Sequence, residues 1–266
     1  MEIKTTKLSL FDGLELKEAT FKKHVFPDHF HDAYSLWIIE RGVEKVSFPG
    51  KNILVHAHSI IVINPYDIHA NSFFDNDIWK YRIIYIGTDL MKYVQDKSGL
   101  FRNQAVNFPQ YLLSDPFLYR QILNFHLGIS SDKAASLHAI VNYLINHYAI
   151  GKGDAGVCKF KNEITDSAGY LQAHLYDKIS IEQLAAKCAM DKFKFIRSFK
   201  KHTGLTPGSY LLLHRINKAK TLIAQNMPIV EVALETGFYD QSHFSHYFKK
   251  YIGIAPLLYK KGLSTE

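Results

Sequence analysis

Cysteine is nearly absent. Cys158 and Cys188 are the only two in 266 residues. They make neither a disulfide framework nor a metal-binding spacing, so both are expected as free thiols in a reducing, cytoplasmic compartment. Long apolar runs are missing too: nothing reaches the roughly 18 residues at which a membrane-spanning helix becomes a candidate. No charged-then-apolar leader opens the chain, so neither export nor a membrane partner is expected. Acidic excess is lacking as well, with 32 Lys and Arg against 25 Asp and Glu. What is present is an ordinary folding composition, 47% hydrophobic and 21% charged, which excludes a disordered chain and allows one or two domains.

The net charge of +7 is unevenly spread. Residues 161–266 carry 15 basic against 9 acidic side chains, whereas residues 1–160 carry 17 against 16. A basic excess confined to one half is the electrostatic footprint of a polyanion binder.

That half also repeats itself. Phe199-Lys200-Lys201-x-x-Gly204-x-x-Pro207-x-x-Tyr210 recurs as Phe248-Lys249-Lys250-x-x-Gly253-x-x-Pro256-x-x-Tyr259, at a constant offset of 49 residues. Two copies are too few for a solenoid and describe a duplicated subdomain. Helix signals precede each copy. Ser180 is a candidate N-cap before an apolar face of Ile181, Leu184 and Ala185, and Pro228 suits a first helical turn before Ile229, Val232 and Ala233. A short break follows each. A second helix then turns Phe195 and Phe199, or Phe244 and Phe248, inward as far as a glycine. Helix, turn, helix places the second helix in a major groove. At 100° per residue, the face opposite the phenylalanines holds Phe193, Ile196, Arg197 and Lys200 in the first copy, and Ser242, Ser245, His246 and Lys249 in the second. Lys192 and Gln241 open the same two helices. These ten are the candidate DNA-binding residues, over motifs at about 180–204 and 228–253. Arg197 is the side chain best suited to guanine.

With Arg215-Ile216-x-Lys218-Ala219-Lys220 and Gly237-Phe238 added, this region resembles the DNA-binding domain of AraC/XylS-type transcription regulators. There are two departures. His246 stands where the family usually has arginine, and Ala189 stands in the first turn where glycine is common, so that turn is expected to form differently. Between the motifs a helix of about 19 residues from Pro207 would span roughly 28 Å, against the 34 Å between successive major grooves on one face of DNA.

The first half reads as β-structure over about residues 7–90. Ala33–Ile39, Glu44–Phe48, Lys51–Val55, Ser59–Ile63 and Trp79–Ile86 are short branched and aromatic runs separated by Gly42, Pro49-Gly50 and Asn64-Pro65. Such spacing suggests a sandwich or barrel. His29-x-His31-x-x-Tyr34, Glu40-x-Gly42 and Ile63-Asn64-Pro65-x-x-x-His69 resemble the cupin-type sensor domain of many AraC-type regulators. His29, His31, Tyr34, Trp37 and His69 are the candidate effector pocket. Metal-binding cupins add a glutamate where Ser35 and Leu36 stand here, so polar groups at a barrel mouth are expected in preference to a metal, and no cofactor is assigned. Residues 89–114 carry mixed signals. Helices are expected over about 115–148, where Leu137, Ile140, Val141, Leu144, Ile145 and Tyr148 form an apolar stripe. The stripe could pack on its own barrel or on a second chain. Three glycines between Gly151 and Gly156 mark a linker at 151–160.

The expected fold class is therefore α+β in two domains. A cupin-like barrel with following helices occupies 1–150, and an all-α domain with two helix-turn-helix motifs joined by a linker helix occupies 161–266. The expected function is sequence-specific regulation of transcription, with no catalytic residue assigned. The resemblance implies double-stranded DNA, a small-molecule effector, a homodimer and RNA polymerase as partners, and transcriptional activation as one mode. The rival reading is a three-histidine metal-dependent cupin enzyme with a helix-turn-helix appendage. A barrel that binds nothing and serves only for dimerisation is a third.

Overall fold

The computed structural model describes residues 2–8, 14–74, 78–102, 104–152, 163–177 and 179–265. It divides into two compact units, one of residues 1–26, 30–156 and 262–266, the other of residues 27–29 and 157–261.

The chain opens with strands β1 (Glu2–Leu8), β2 (Leu14–Phe21), β3 (Val25–His29), β4 (Tyr34–Arg41), β5 (Val43–Phe48), β6 (Lys51–His56), β7 (Ile60–Ile63), β8 (His69–Phe73) and β9 (Trp79–Ile86), all in the first unit except residues 27–29 of β3. There follow α1 (Thr88–Ser98), β10 (Ala105–Asn107), β11 (Leu112–Leu113), α2 (Pro116–His126), α3 (Lys133–Tyr148) and β12 (Ile150–Lys152). One sheet runs β11-β7-β4-β9-β2-β1, with β13 (Ser264–Thr265) beyond β1; a second runs β3-β8-β5-β6.

The larger sheet is buried on both faces, which is why β4, β7 and β9 read as nearly unbroken apolar runs. Along β4 the side chains alternate between two cores. Leu36 and Ile38 join Leu137, Ile140, Val141, Leu144 and Ile145 under the helices. Trp37 and Ile39 join Phe21, Phe26, Val46, Val55, Trp79 and Tyr81 between the two sheets. The apolar stripe of α3 is thus spent on the chain's own sheet. Gly42, at φ +84°, turns β4 into β5 where a Cβ would lie 2.7 Å from the Ile78 carbonyl oxygen, a position only glycine fills without strain.

The structure extends the sequence reading at four places. Pairing begins at Glu2, because β1 runs antiparallel along β2 from Leu14 to Thr20. The mixed stretch after residue 88 contains α1, which ends at Gly99 in the left-handed region. Asn64, from the expected turn, also holds the β10 side of the unit: its amide donates to the Phe108 carbonyl at 3.0 Å and its oxygen accepts from Phe108 N–H at 2.8 Å. Gly151 and Lys152, placed in the linker by their glycine-rich setting, pair with β10; linker residues 153–160, with Cys158, lie outside the described residues.

The second unit is helical: α4 (Glu163–Ala173), α5 (Ile181–Lys187), α6 (Lys192–Thr203), α7 (Pro207–Ala224), α8 (Ile229–Glu235), α9 (Gln241–Ile252) and α10 (Pro256–Gly262). No helix among the described residues is long and apolar enough to cross a membrane. The repeated phrase builds the same local structure twice. Gly204 and Gly253 end α6 and α9 at φ +81° and +96°. The prolines then start α7 and α10. Each tyrosine sets its ring edge-on to the matching phenylalanine, Phe199–Tyr210 at 5.5 Å and Phe248–Tyr259 at 5.4 Å between centroids. Cys188 is buried beside Leu171, Leu184, Phe195 and Phe199, a small hydrophobe in its core. Pro228 is the N-cap of α8, one residue ahead of the expected first turn.

Candidate functional site

Two helices present the expected DNA-facing residues. Asp191 and Asp240 cap α6 and α9, accepting from Lys194 N–H at 2.9 Å and His243 N–H at 2.7 Å, so both begin at fixed points. Phe195, Phe199, Phe244 and Phe248 are fully buried. The opposite faces then emerge from geometry alone: Lys192, Phe193, Arg197, Lys200, Gln241, Ser242, His246 and Lys249 are exposed, while Ile196 and Ser245 are half-buried. Phe193 is 69% exposed, beside Arg197 on the outward face of α6. Lys192 is bound to Glu182 at 2.5 Å, which occupies its ammonium on α5. At 1.5 Å per residue the 18 residues of α7 give a spacer of about 27 Å between the two motifs.

The two turns have one geometry. Ala189 N–H donates to Ala186 and Met190 N–H to Ala185; Gly237 N–H donates to Leu234 and Phe238 N–H to Ala233. Both pairs close the preceding helix as a Schellman motif. Ala189 sits at φ +50° and Gly237 at φ +74°, so the alanine departure changes the strain and leaves the shape. A non-glycine residue in this region costs about 1–2 kcal/mol, partly offset by the backbone entropy glycine would lose, about 0.5–1 kcal/mol. Ala189→Gly is therefore expected to stabilise the second unit by about 0.5–1 kcal/mol, read as a higher melting temperature. A lower one would show that the alanine side chain contributes more than its backbone costs.

The extra residue of the second turn is Tyr239, 89% exposed between Phe238 and the Asp240 cap. The sequence does carry its signal: the copies are offset by 48 residues before the turn and 49 after it. Arg215 locks this turn from α7. Its guanidinium donates to the carbonyls of Leu175 at 2.7 Å, Gly237 at 2.8 Å and Asp177 at 3.0 Å. In the sequence it stands out only as a basic residue of the family resemblance; in the structure it is a clamp on backbone.

In the first unit His31 and His69 lie with ring centroids 5.2 Å apart, and Trp37 stands 5.7 Å from His69. One ring nitrogen from each of His29, His31 and His69 comes within 4.8 Å of the others. Tyr34 does not join them. It points to the helix-covered face, where its hydroxyl donates to the Val106 carbonyl at 2.7 Å; residues 34 and 37 lie on opposite faces of one strand.

The interior between the sheets holds polar groups that motif reading passed over. Glu44 is fully buried and accepts from Asn71 Nδ2 at 2.6 Å. Trp79, Tyr81 and Lys17 surround it, and the Lys17 ammonium lies over the Phe26 ring at 5.2 Å. Strand alternation could have found Glu44, since it shares the inward face of β5 with Val46. Burial pushes its carboxyl up to about 8, against the lowering influence of Asn71, Trp79 and Lys17. Burial likewise pushes the His69 imidazole down to about 4. The native state keeps the Glu44 proton up to about 8, whereas the unfolded chain releases it in the ordinary glutamate range. Between those limits the native state binds more protons, so stability falls as pH rises. Glu44→Gln lacks this dependence. Its advantage in melting temperature over the natural chain is expected to widen from about pH 5 to about pH 8; parallel curves would contradict it.

A family model described as an AraC-like ligand binding domain matches residues 13–144, and one described as a helix-turn-helix domain matches residues 184–262. The HTH-type transcriptional regulator YbfI of Bacillus subtilis is 30% identical over 252 residues, covering 91% of this chain and 90% of the relative. The chain belongs to the AraC family of transcriptional regulators. It is also similar to the HTH-type transcriptional activator RhaS of Klebsiella pneumoniae, at 23% identity over 92% of this chain and 91% of that one. The crystal structure of ToxT from Vibrio cholerae O395 shares the fold, with a TM-score of 0.60 at 14% identity over 94% of this chain and 98% of that one.

This AraC-family regulator has a ligand-binding region and a helix-turn-helix DNA-binding region in the order the sequence indicated. Its relatives are named as regulators of transcription, which favours that reading over a cupin enzyme.

Proposed function

We propose that α6 and α9 read adjacent major grooves of double-stranded DNA, and that a small-molecule effector bound between the two sheets controls this binding. The observation supporting the first part is the matched pair of capped helices. Each buries two phenylalanines and offers its opposite face, with Phe193 and Arg197 on one and Gln241, Ser242 and His246 on the other. Tyr239 joins that set as an exposed ring at the start of α9. The second part is supported by the interior itself. Trp37, Trp79 and Tyr81 pack there with Glu44 and Asn71 among them, a mixture of aromatic rings and few polar groups that suits a small-molecule site. On this reading residues 1–150 carry the effector and residues 161–266 the DNA contacts, joined through 151–160. The working unit is a homodimer that meets RNA polymerase at its promoters. Since the α3 stripe is buried on its own sheet, a second copy would meet the outer side of α2 and α3, where Phe117 is 54% exposed.

The chain provides its own reporter. Trp37 and Trp79 are its only tryptophans, and both lie between the sheets. A metabolite that changes DNA affinity is expected to shift tryptophan emission of the full chain at the same concentration. One that changed DNA affinity and left the emission untouched would place the effector elsewhere.

A further inference from the structure

We propose that a cleft between the end of α2, the start of α3 and the polar end of the larger sheet binds the phosphate group of a small metabolite. Strand pairing builds its floor. Lys4 on β1 stands opposite Glu18 on β2, and Glu18 stands opposite Arg82 on β9. Alternation sends all three to the helix-covered face, the face of Leu16 and Ile84. Beyond that apolar core the face opens as a cleft of about 220 Å³, which His126 of α2 and Lys133 of α3 also line. Trp37, Trp79 and Tyr81 lie on the other side of the sheet.

Two buried donors carry the inference. Arg82 lines the cleft and its side chain is 8% exposed. Its Nε–H donates to Glu40 at 2.7 Å, and one N–H from each Nη donates to Glu18, at 2.9 and 3.0 Å. A guanidinium has five N–H groups, so two remain, one on each Nη. The second donor is His126, whose Nε2 is buried without a hydrogen-bond partner among the described residues. Burial, and then the Arg82 charge, push this imidazole down to about 3. At neutral pH it is therefore uncharged and can hold its proton on Nε2. The carbonyls that end α2 are taken: those of Leu123, Asn124 and Phe125 accept from the N–H groups of Leu127, Ile129 and Gly128. A buried polar atom left unpaired costs about 1–3 kcal/mol, which a ligand oxygen at Nε2 would recover.

The charges around the cleft select the ligand. Glu18 and Glu40 are balanced by Arg82 and Lys80. Lys4 and Lys133 add two ammonium groups at its edge, which suits the nearly doubly charged phosphate of a monoester. Donors reach the cleft from the sheet, from α2 and from α3. A phosphate monoester meets them with three terminal oxygens, whereas a carboxylate offers two in one plane. Leu8, Leu16 and Phe125 line the remainder and leave room for a short carbon body.

Calorimetric titration of the full chain with glycerol 3-phosphate tests the site, with inorganic phosphate and glycerol as companion probes. One saturable site per chain is expected for glycerol 3-phosphate, with inorganic phosphate competing for it and glycerol not binding. Equal affinity for the two phosphates would still support the site and make free phosphate its ligand. His126→Phe keeps a ring and removes the donor, and is expected to bind at least about tenfold more weakly. Lys4→Gln is expected to bind about three- to fivefold more weakly. Lys4 is exposed, so this variant keeps the test valid if His126→Phe fails to fold. Lys51→Gln, on β6 of the other sheet, binds as the natural chain does. Absence of saturable heat with either phosphate, or equal affinity in the natural chain and Lys4→Gln, overturns the site. The readout is heat of binding, so the outcome is independent of the DNA and effector readings above.

Discussion

Gly237→Ala is expected to destabilise the second unit by about 2–4 kcal/mol and to abolish operator binding near its melting temperature. Two costs combine. The residue stands at φ +74°, and an added Cβ would meet the Arg215 guanidinium carbon at 2.8 Å and the Leu175 carbonyl oxygen at 3.0 Å. The left-handed backbone alone costs about 1–2 kcal/mol. The steric term is added because Arg215 cannot retreat without releasing carbonyls it now satisfies, each such bond to a charged donor being worth about 1.5–3 kcal/mol. In a unit of this size each 1 kcal/mol lowers the melting temperature by about 4–8 °C. Thermal unfolding followed by helical circular dichroism checks this. The equivalent turn position already holds Ala189, so the contrast isolates the Arg215 clamp: a Gly237→Ala loss no larger than the Ala189→Gly gain would mean that the clamp yields freely.

Arg197→Ala is expected to weaken operator binding by about 1–3 kcal/mol, a loss of about 5- to 140-fold, concentrated at one base pair. Arg197 is exposed on α6 next to Phe193 and Ile196. It can make the bidentate contact to guanine, with thymine methyls available to its apolar neighbours. α9 offers hydroxyls, an amide and an imidazole of shorter reach, so the half-site under α6 is expected to be read more strictly. Lys249→Ala is expected to weaken all sequences alike and to reduce the salt slope by about one. Affinities of Arg197→Ala against single-base operator variants separate base reading from phosphate holding. Equal loss on every variant would make Arg197 a backbone contact.

The DNA-binding half was legible because its signals are local and doubled. Gly204, Gly253, Pro207 and Pro256 act on the chain within a few residues, and recurrence confirmed each one. Arg215 was visible only as a basic residue, because its three carbonyl partners come from the stretch after α4 and the second turn, far off in sequence. The first unit was less legible. β1, β3 and β8 include Glu2, Lys4, Asp28, His69 and Asn71, and such polar strands are set by pairing with neighbours in place of hydrophobic runs. Buried Glu44 was passed over although alternation puts it on the face of Val46, because the groups that surround its carboxyl, Asn71, Trp79 and Lys17, come from other strands. Tyr34 was grouped with Trp37 by motif, and the alternation of β4 sends them to different cores.

Selection of binding sites from random double-stranded DNA by the purified full chain tests whether α6 and α9 read adjacent grooves. Enrichment of a bipartite site is expected, two short blocks with centres about 10 base pairs apart, the stronger block losing its preferred base pair when selection is repeated with Arg197→Ala. A single block, or the same motif from Arg197→Ala as from the natural chain, would contradict the claim that α6 and α9 read adjacent grooves with Arg197 as the principal reader.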